Sequence, residues 1–196
     1  MKKLTYVFMV ALAAYAFEGC NNAPKDAKQS ADSVNKTKDT TSNVAATGGI
    51  AVTSDDAKFA TKAAAGGLAE VEIGKLAGQK TTNAQIKSFA AMMVTDHGKA
   101  NDKLMAIAKA KNITLPATLD TDHQKKMDDL SKLSGADFDK AYVDAMVDGH
   151  KKTLDLMKDE AKNGKDVELK DFAASTAPIV QMHLDAINKI HDSMKK

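Results

Sequence analysis

Apolar residues recur about every 3.6 positions along four long segments of this chain, which is the period of an amphipathic α-helix. The segments cover about residues 54–79, 82–111, 136–163 and 166–194. Each apolar stripe also holds one side chain that can ligate a metal ion, and these are Glu70, His97, His150 and His183. Because apolar stripes face the core of a helical protein, this pattern predicts one Glu and three His in the interior. Such a layer is either a metal site or a hydrogen-bonded polar plug.

The amino terminus has the pattern of an export signal. Lys2 and Lys3 precede an uncharged, mostly apolar run over residues 4–17, and Cys20 follows shortly after it. The run is shorter than the stretch of about 20 residues that a membrane-spanning helix needs. Cys20 is the only cysteine, and its position resembles that of the lipidated cysteine of bacterial lipoproteins. Residues 1–20 are therefore predicted to be a signal peptide with lipidation at Cys20; ordinary signal-peptidase cleavage and an uncleaved anchor are the alternatives.

Lipidation would place the protein in the cell envelope, in the periplasm or at the outer membrane, with the lipid as its membrane anchor. Residues 21–53 are rich in Asn, Ser, Thr, Ala, Lys and Asp and hold few apolar side chains. Such a segment buries too little apolar surface to offset its ordering entropy, so it is predicted to be a disordered tether. Residues 54–196 remain as one domain with a sizeable core.

The charge pattern argues against nucleic acid as a partner. The formal net charge is only +2, and lysines are mixed with acidic residues along the predicted helices. A nucleic-acid binder usually carries a basic stripe with interleaved aromatic side chains, and the sequence contains none. The charged faces are predicted to be solvated helix surfaces.

Strand patterns are absent, so the predicted fold class is all-α, a four-helix bundle. Between the second and third long helices, Pro116 breaks the period and Thr121-x-x-Gln124 begins a short extra helix. If consecutive long helices alternate in direction, the four polar residues spread over about 10 Å along the axis. If the connection over residues 112–135 crosses the whole bundle instead, the spread falls to about 7 Å. The depth of the polar residues therefore favours the crossover.

Two glycines interrupt the first long helix. Gly66 and Gly67 each cost about 1 kcal/mol relative to Ala in a helix interior, so a compensating role is expected. One interpretation is close packing against a neighbouring helix. The other is that the missing side chains leave space next to Glu70.

Several segments, in order, resemble one family of bacterial envelope proteins. They are Ala69-Glu70-Val71-Glu72, Met93-Val-Thr-Asp-His97, the segment from Gly135 to Tyr142, Met146-Val-Asp-Gly-His150, and Ala177-Pro178 followed by His183. Together with the lipoprotein-like start, they resemble the family called domain of unknown function 4142. The resemblance implies a ferritin-like bundle, often described as a predicted outer-membrane protein, with no established activity.

The candidate ligands differ from those of a di-iron site. Di-iron ferritin-like proteins use Glu from two helices and Glu-x-x-His from the other two, and this sequence has no Glu-x-x-His. Glu plus imidazoles suits one Zn, Cu or Fe ion better. The predicted ligands are Glu70, His97, His150 and His183, and the acids close enough to orient them are Glu72, Asp96 and Asp148.

Four further side chains near the stripes are interpreted otherwise. Met93 and Met146 each lie one turn before a stripe histidine, where a thioether either adds a copper ligand or fills the core. Core packing is the favoured interpretation. His123 and His191 have no ligand cluster around them and are expected to face solvent.

Two functions are compatible with this pattern. A metal-binding envelope protein would hold, buffer or sense a transition metal through the polar layer. A structural or interaction lipoprotein would use the same layer, without metal, as a hydrogen-bonded plug that fixes the helix register. An enzyme is the third interpretation: no nucleophile with its base and no phosphate-binding loop can be recognised, so a reactive metal centre would be the only route to catalysis.

Overall fold

The computed structural model describes residues 26–38 and 49–195, and every regular element in these ranges is a helix. In chain order the helices are α1 (Ala27–Lys38), α2 (Ser54–Lys80), α3 (Ala84–Ala110), α4 (Thr121–Ser131), α5 (Gly135–Asn163) and α6 (Val167–Ser193). The all-α class is confirmed, and α4 is the short helix expected in the connection between the second and third long helices. None of the described helices is both long and apolar enough to cross a membrane. The predicted signal peptide and Cys20 lie outside the described residues.

Polar side chains begin the long helices. Thr53 accepts a hydrogen bond from the backbone N–H at the start of α2, Asn83 does so at α3, and Asp166 does so at α6. The first N–H groups of a helix have no partner within the helix, so each cap removes an unpaired donor. At α4 the cap is Asp120, one residue before the predicted start at Thr121.

The helix directions follow from contacts at one end of the molecule. The Nζ atom of Lys111, just after α3, lies 2.7 Å from Oδ2 of Asp166, just before α6. Asp56, at the start of α2, accepts the backbone N–H groups of Lys165 and Asp166 at 2.9 and 3.1 Å. Helices α3 and α5 therefore both end where α2 and α6 begin, and they run parallel. The connection over residues 112–134 crosses the length of the molecule, as the depth of the polar residues predicted.

Two clusters of buried apolar side chains fill the interior. One includes Ile73 and Met93, and the other includes Ala64 and Leu104. Along α2 and α3 the members of these clusters lie on both sides of Glu70 and His97 in sequence. Apolar packing therefore encloses the polar layer from both ends, which raises the cost of any unpaired polar atom within it.

Part of the segment predicted as a disordered tether is folded. Helix α1 packs on α2, where Oγ1 of Thr61 donates to Oδ1 of Asp32 at 2.6 Å. The buried side chain of Asn35 donates to the carbonyl oxygen of Thr114 at 2.9 Å and accepts its N–H at 2.7 Å. The tether prediction does not hold for Ala27–Lys38, because specific polar contacts with the crossover connection order a segment that is poor in apolar residues.

Candidate metal centre

The structure brings together the four polar residues that the helical stripes singled out. Each comes from a different long helix, with Glu70 on α2, His97 on α3, His150 on α5 and His183 on α6. Glu70 and His97 are each 5% exposed, and the other two histidines are 0% exposed. The three imidazole centroids form a nearly equilateral triangle with sides of 5.3, 5.5 and 5.6 Å. The histidines therefore surround one small volume in the core.

Two of the rings are oriented by acceptors on their outer side. Nδ1 of His150 lies 2.8 Å from the backbone carbonyl oxygen of Met146, one turn earlier in α5. Nε2 of His183 lies 3.1 Å from Oδ2 of Asp96 on α3. Because a carbonyl or an ionised carboxylate only accepts hydrogen bonds, these contacts place the hydrogen on Nδ1 of His150 and on Nε2 of His183.

The third ring lies beside Glu70 at ion-pair distance, and both oxygens of that carboxylate are buried without a hydrogen-bond partner among the described residues. Nδ1 of His97 lies 2.9 Å from Oε2 of Glu70, and Nδ1 of His150 lies 3.7 Å from Oε1 of the same carboxylate. In many metalloproteins a carboxylate contacts the outer nitrogen of an imidazole whose inner nitrogen binds the metal. The carboxylate fixes the tautomer of the ring and makes it a stronger ligand. Glu70 thus contacts the outer nitrogens of two rings at once.

The opposite nitrogen of each ring has no partner. These atoms, Nε2 of His97, Nε2 of His150 and Nδ1 of His183, are buried and make no hydrogen bond to any described residue. One ring nitrogen from each histidine lies within 4.8 Å of the others, which is a possible metal site. On a tetrahedral zinc ion with bonds of about 2.0–2.1 Å, two nitrogens lie about 3.3 Å apart. A nitrogen–nitrogen distance of 4.8 Å would have to shorten by about 1.5 Å, which corresponds to a shift of about 0.9 Å of each nitrogen toward the centre of the triangle.

Electrostatics keep the carboxylate charged despite its burial. Burial raises the pKa of Glu70, but the charge of His97, its contact with that ring and the charges of the other two histidines together lower it to about 2. Burial would lower the pKa of His97, yet the charge and contact of Glu70 leave that pKa raised. Burial lowers the pKa of His150 and of His183. These lowered pKa values favour the neutral imidazole at both positions, the form in which a histidine binds a metal.

Of the three acids predicted to orient the ligands, Asp96 is the one that lies against a histidine of the cluster, with its Oδ2 atom 3.1 Å from Nε2 of His183. Glu72 instead pairs with Lys75 at 2.8 Å on the surface. Asp148 is exposed on α5. The carbonyl of Met146 was not anticipated, because a backbone acceptor has no sequence signature of its own; the four-residue spacing to His150 within one helix is the signal that could have revealed it.

The two histidines outside this cluster are each paired with an acidic residue. His123 is paired with Asp120 at 2.7 Å and His191 with Asp144 at 3.3 Å, each with a side chain about a third exposed. Met93 and Met146 are packed in the apolar core, as the favoured interpretation expected. Phe89 lies between that core and the site, with its ring centroid 5.8 Å from that of His150.

The fold and the site define an all-α protein with a buried cluster of three histidines that could hold a metal ion. The chain belongs to the family described as Domain of unknown function (DUF4142), whose model matches residues 39–190, so the resemblance noted from the sequence is confirmed. No curated protein matches the sequence significantly.

A solved structure with a similar fold is the crystal structure of a DUF305 fragment from Deinococcus radiodurans. The two superimpose with a TM-score of 0.65 at 9% sequence identity, and the match covers 72% of this chain and 98% of that chain. At this identity the likeness concerns the fold alone.

Proposed function

We propose that this protein binds one transition-metal ion through His97, His150 and His183. The observation that carries the proposal is that each ring has an outer nitrogen beside an acceptor and an inner nitrogen that is buried without a partner. Burying three unpartnered ring nitrogens side by side is unfavourable, and a cation bound between the neutral rings would remove that cost. A core plug held only by hydrogen bonds gives no reason for three inner nitrogens to face each other.

The donor set indicates the class of ion. Imidazole nitrogens suit Zn, Cu and Fe, whereas Mg and Ca prefer oxygen ligands. We assign Glu70 the role of orienting His97 and balancing the charge of the ion. The sequence predicted it as a direct ligand, a role that would require its carboxylate to turn from the outer ring nitrogens toward the inner ones. The protein would hold, buffer or sense the metal.

The proposal extends to the location and architecture of the protein. The four long helices with a crossover connection support a ferritin-like arrangement, in which metal sites form between facing helices. The charged start, apolar run and Cys20 support a lipid anchor in the cell envelope, at the periplasm or the outer membrane. The metal site would then lie outside the cytoplasm.

Elemental analysis of the purified protein, after equilibration with Zn, Cu or Fe salts, tests the metal site. We expect about one ion per chain and a melting temperature that falls when a chelator removes the ion. Alanine substitution of His97, His150 or His183 should abolish stoichiometric binding. His191→Ala is the matched control, because it removes a histidine from α6 outside the cluster and should leave binding unchanged.

The metal-free plug gives a different result in the same experiment. Protein that stays metal-free, and whose melting temperature does not respond to any of these ions, would overturn the proposal and favour the plug. Equal metal content in the His183→Ala and His191→Ala variants would also contradict it, since binding would then arise from surface histidines.

A further inference from the structure

A cleft between α2 and α5 leads from the surface to Glu70, the acid beside His97, and its lining holds none of the three clustered histidines. Its volume is about 620 Å³, and its lining includes Glu70, Met146, Gly66 and Gly149. Glu70 holds the outer nitrogen of His97, and the Met146 carbonyl holds that of His150. The inner end of the cleft is therefore formed by two of the groups that orient the histidines.

Glycines on both walls leave this cleft open. A Cβ atom at Gly66 would have no neighbouring atom within 4 Å, and one at Gly149 would meet only Oε1 of Glu70, at 4.0 Å. Gly67 differs from its neighbour, because a Cβ there would overlap the side-chain amide of Asn101 on α3 unless that side chain moved. The two interpretations of the glycine pair thus apply to different residues. Gly67 permits close helix packing, and Gly66 leaves space in front of Glu70.

The charges along the cleft are balanced. Its lysines are Lys28, Lys62, Lys126 and Lys152, and its acidic residues are Asp120, Asp155, Asp159 and Glu70. Lys28 is also paired with Asp32, and Asp120 with His123. A balanced lining presents no strong long-range repulsion to a cation. Glu70 is the acid at the inner end of the cleft.

A second groove, between α3 and α6, approaches the site from the other side. Its lining includes Phe89, Met92 and Met182 but none of the three histidines and not Glu70. The ring of Phe89 covers His150 and His183, with centroid distances of 5.8 and 6.5 Å. An apolar ring is a poor path for a hydrated cation, since no ligand there replaces the lost water.

We propose that the α2–α5 cleft is the route by which the metal ion enters and leaves, and that the Glu70 carboxylate is the first core ligand it meets. This inference rests on the proposed metal binding. It explains why two positions that face open space, one on each wall, both lack a side chain. It also gives Glu70 a role as a transient oxygen ligand before the ion reaches the imidazoles.

Stopped-flow uptake of Co²⁺, followed by its visible absorption, tests the route with the full chain. Gly66→Leu should fill the cleft and slow both uptake and chelator-driven release, on the order of tenfold, because passage would then need local opening of packed helices. The number of ions bound at equilibrium should stay the same. Gly149→Val narrows the cleft from the α5 side and should slow uptake in the same direction.

Gly78→Leu is the matched control. It makes the same change in the same helix, at a position that also faces open space but lies outside the cleft. Its rates should equal those of the unsubstituted protein. Full Co²⁺ binding with unchanged rates in both cleft variants would overturn the route and leave the metal site intact. Absence of Co²⁺ binding in the unsubstituted protein would overturn the proposed function itself.

Discussion

Asp96 on α3 contacts Nε2 of His183 on α6 at 3.1 Å, while the next residue in the chain, His97, turns its own ring into the same site. Successive residues in an α-helix point about 100° apart, so one turn of α3 serves two rings in different ways. It supplies one imidazole directly and fixes the orientation of another. The contact also turns Nδ1 of His183 inward, toward the other two histidines.

Substitution of Asp96 should weaken metal binding without removing the site. Without the carboxylate, Nε2 of His183 loses the acceptor that fixes its tautomer, and loss of such partners lowers metal affinity by about 10–100-fold. We therefore expect Asp96→Ala to raise the dissociation constant in competition with a chelator of known affinity. Saturating metal should still give about one ion per chain.

Asp148→Ala is the control for this effect. Asp148 was also predicted from the sequence to orient a ligand, but it is exposed on α5. The metal affinity of the Asp148→Ala variant should match that of the unsubstituted protein. A similar loss in both variants would point to general surface charge, and an unchanged Asp96→Ala affinity would remove Asp96 from the site.

Two glycines of α2 should respond to alanine in opposite directions. At Gly66 the added methyl meets no atom within 4 Å, so helix propensity alone should raise the free energy of unfolding by about 1 kcal/mol. At Gly74 a Cβ would lie 3.1 Å from the backbone oxygen of Ala90 and 3.2 Å from Cβ of Met93. Helix α3 would have to move, so we expect a net loss of about 1 kcal/mol.

Urea unfolding of the metal-free protein measures both changes. Each variant is the other's control, since both replace a glycine by alanine within one helix. If Gly74→Ala raised the free energy of unfolding, α3 would be able to move away from α2 next to residue 74 without loss of packing.

The sequence predicted which residues share the site because each apolar stripe marks the helix face that is turned to the core. Each of the four stripes holds one side chain that can ligate a metal ion. The crossover was also predictable, since the depth of each residue along its helix follows from a constant rise. The orientation of the rings was not. Whether Nδ1 or Nε2 of His150 faces inward depends on its χ angles and on the carbonyl of Met146, and neither appears in the order of residues.

Helix α1 was missed for a related reason. Its apolar content is too low to indicate a packed helix, and the contacts that order it join residues far apart in the chain. Asn35 and Thr114 share two hydrogen bonds across 79 positions. Composition favoured disorder, whereas the tertiary polar contacts decided the outcome.

Removal of the Asn35 amide should therefore release α1 without affecting the remaining helices. Asn35→Ala loses both part-buried hydrogen bonds to the backbone of Thr114, each of which contributes about 0.5–1.5 kcal/mol. Amide hydrogen exchange should become faster across Ala27–Lys38 and remain unchanged in α5 and α6. Ser33→Ala, on the exposed face of α1, is the control and should leave protection nearly as it is.

Glu160 should make the stability of the protein depend on pH. It lies near the end of α5 and is 6% exposed. Burial raises its pKa, and the charge of Asp56, a hydrogen bond with Asp56 and the charges of nearby acids raise it further, to about 7 from an ordinary value of 4.5. The folded protein thus retains a proton on Glu160 in a range where the unfolded chain has released it.

The sign of the effect follows from this difference. Because the pKa of Glu160 is higher in the folded state, its protonated form contributes to the free energy of unfolding. This contribution is fully present below about pH 4.5 and is lost as the pH rises through about 7. Glu160→Gln keeps the neutral amide at every pH, so the variant should gain stability relative to the unsubstituted protein as the pH rises. Urea unfolding at pH 5, 6, 7 and 8 gives the difference between the two proteins, in which the histidine titrations common to both largely cancel. Asp155→Asn, an exposed acid on the same helix, should show no such trend. A Glu160→Gln difference that stays constant from pH 5 to 8 would mean that Glu160 is ionised in the folded protein throughout this range.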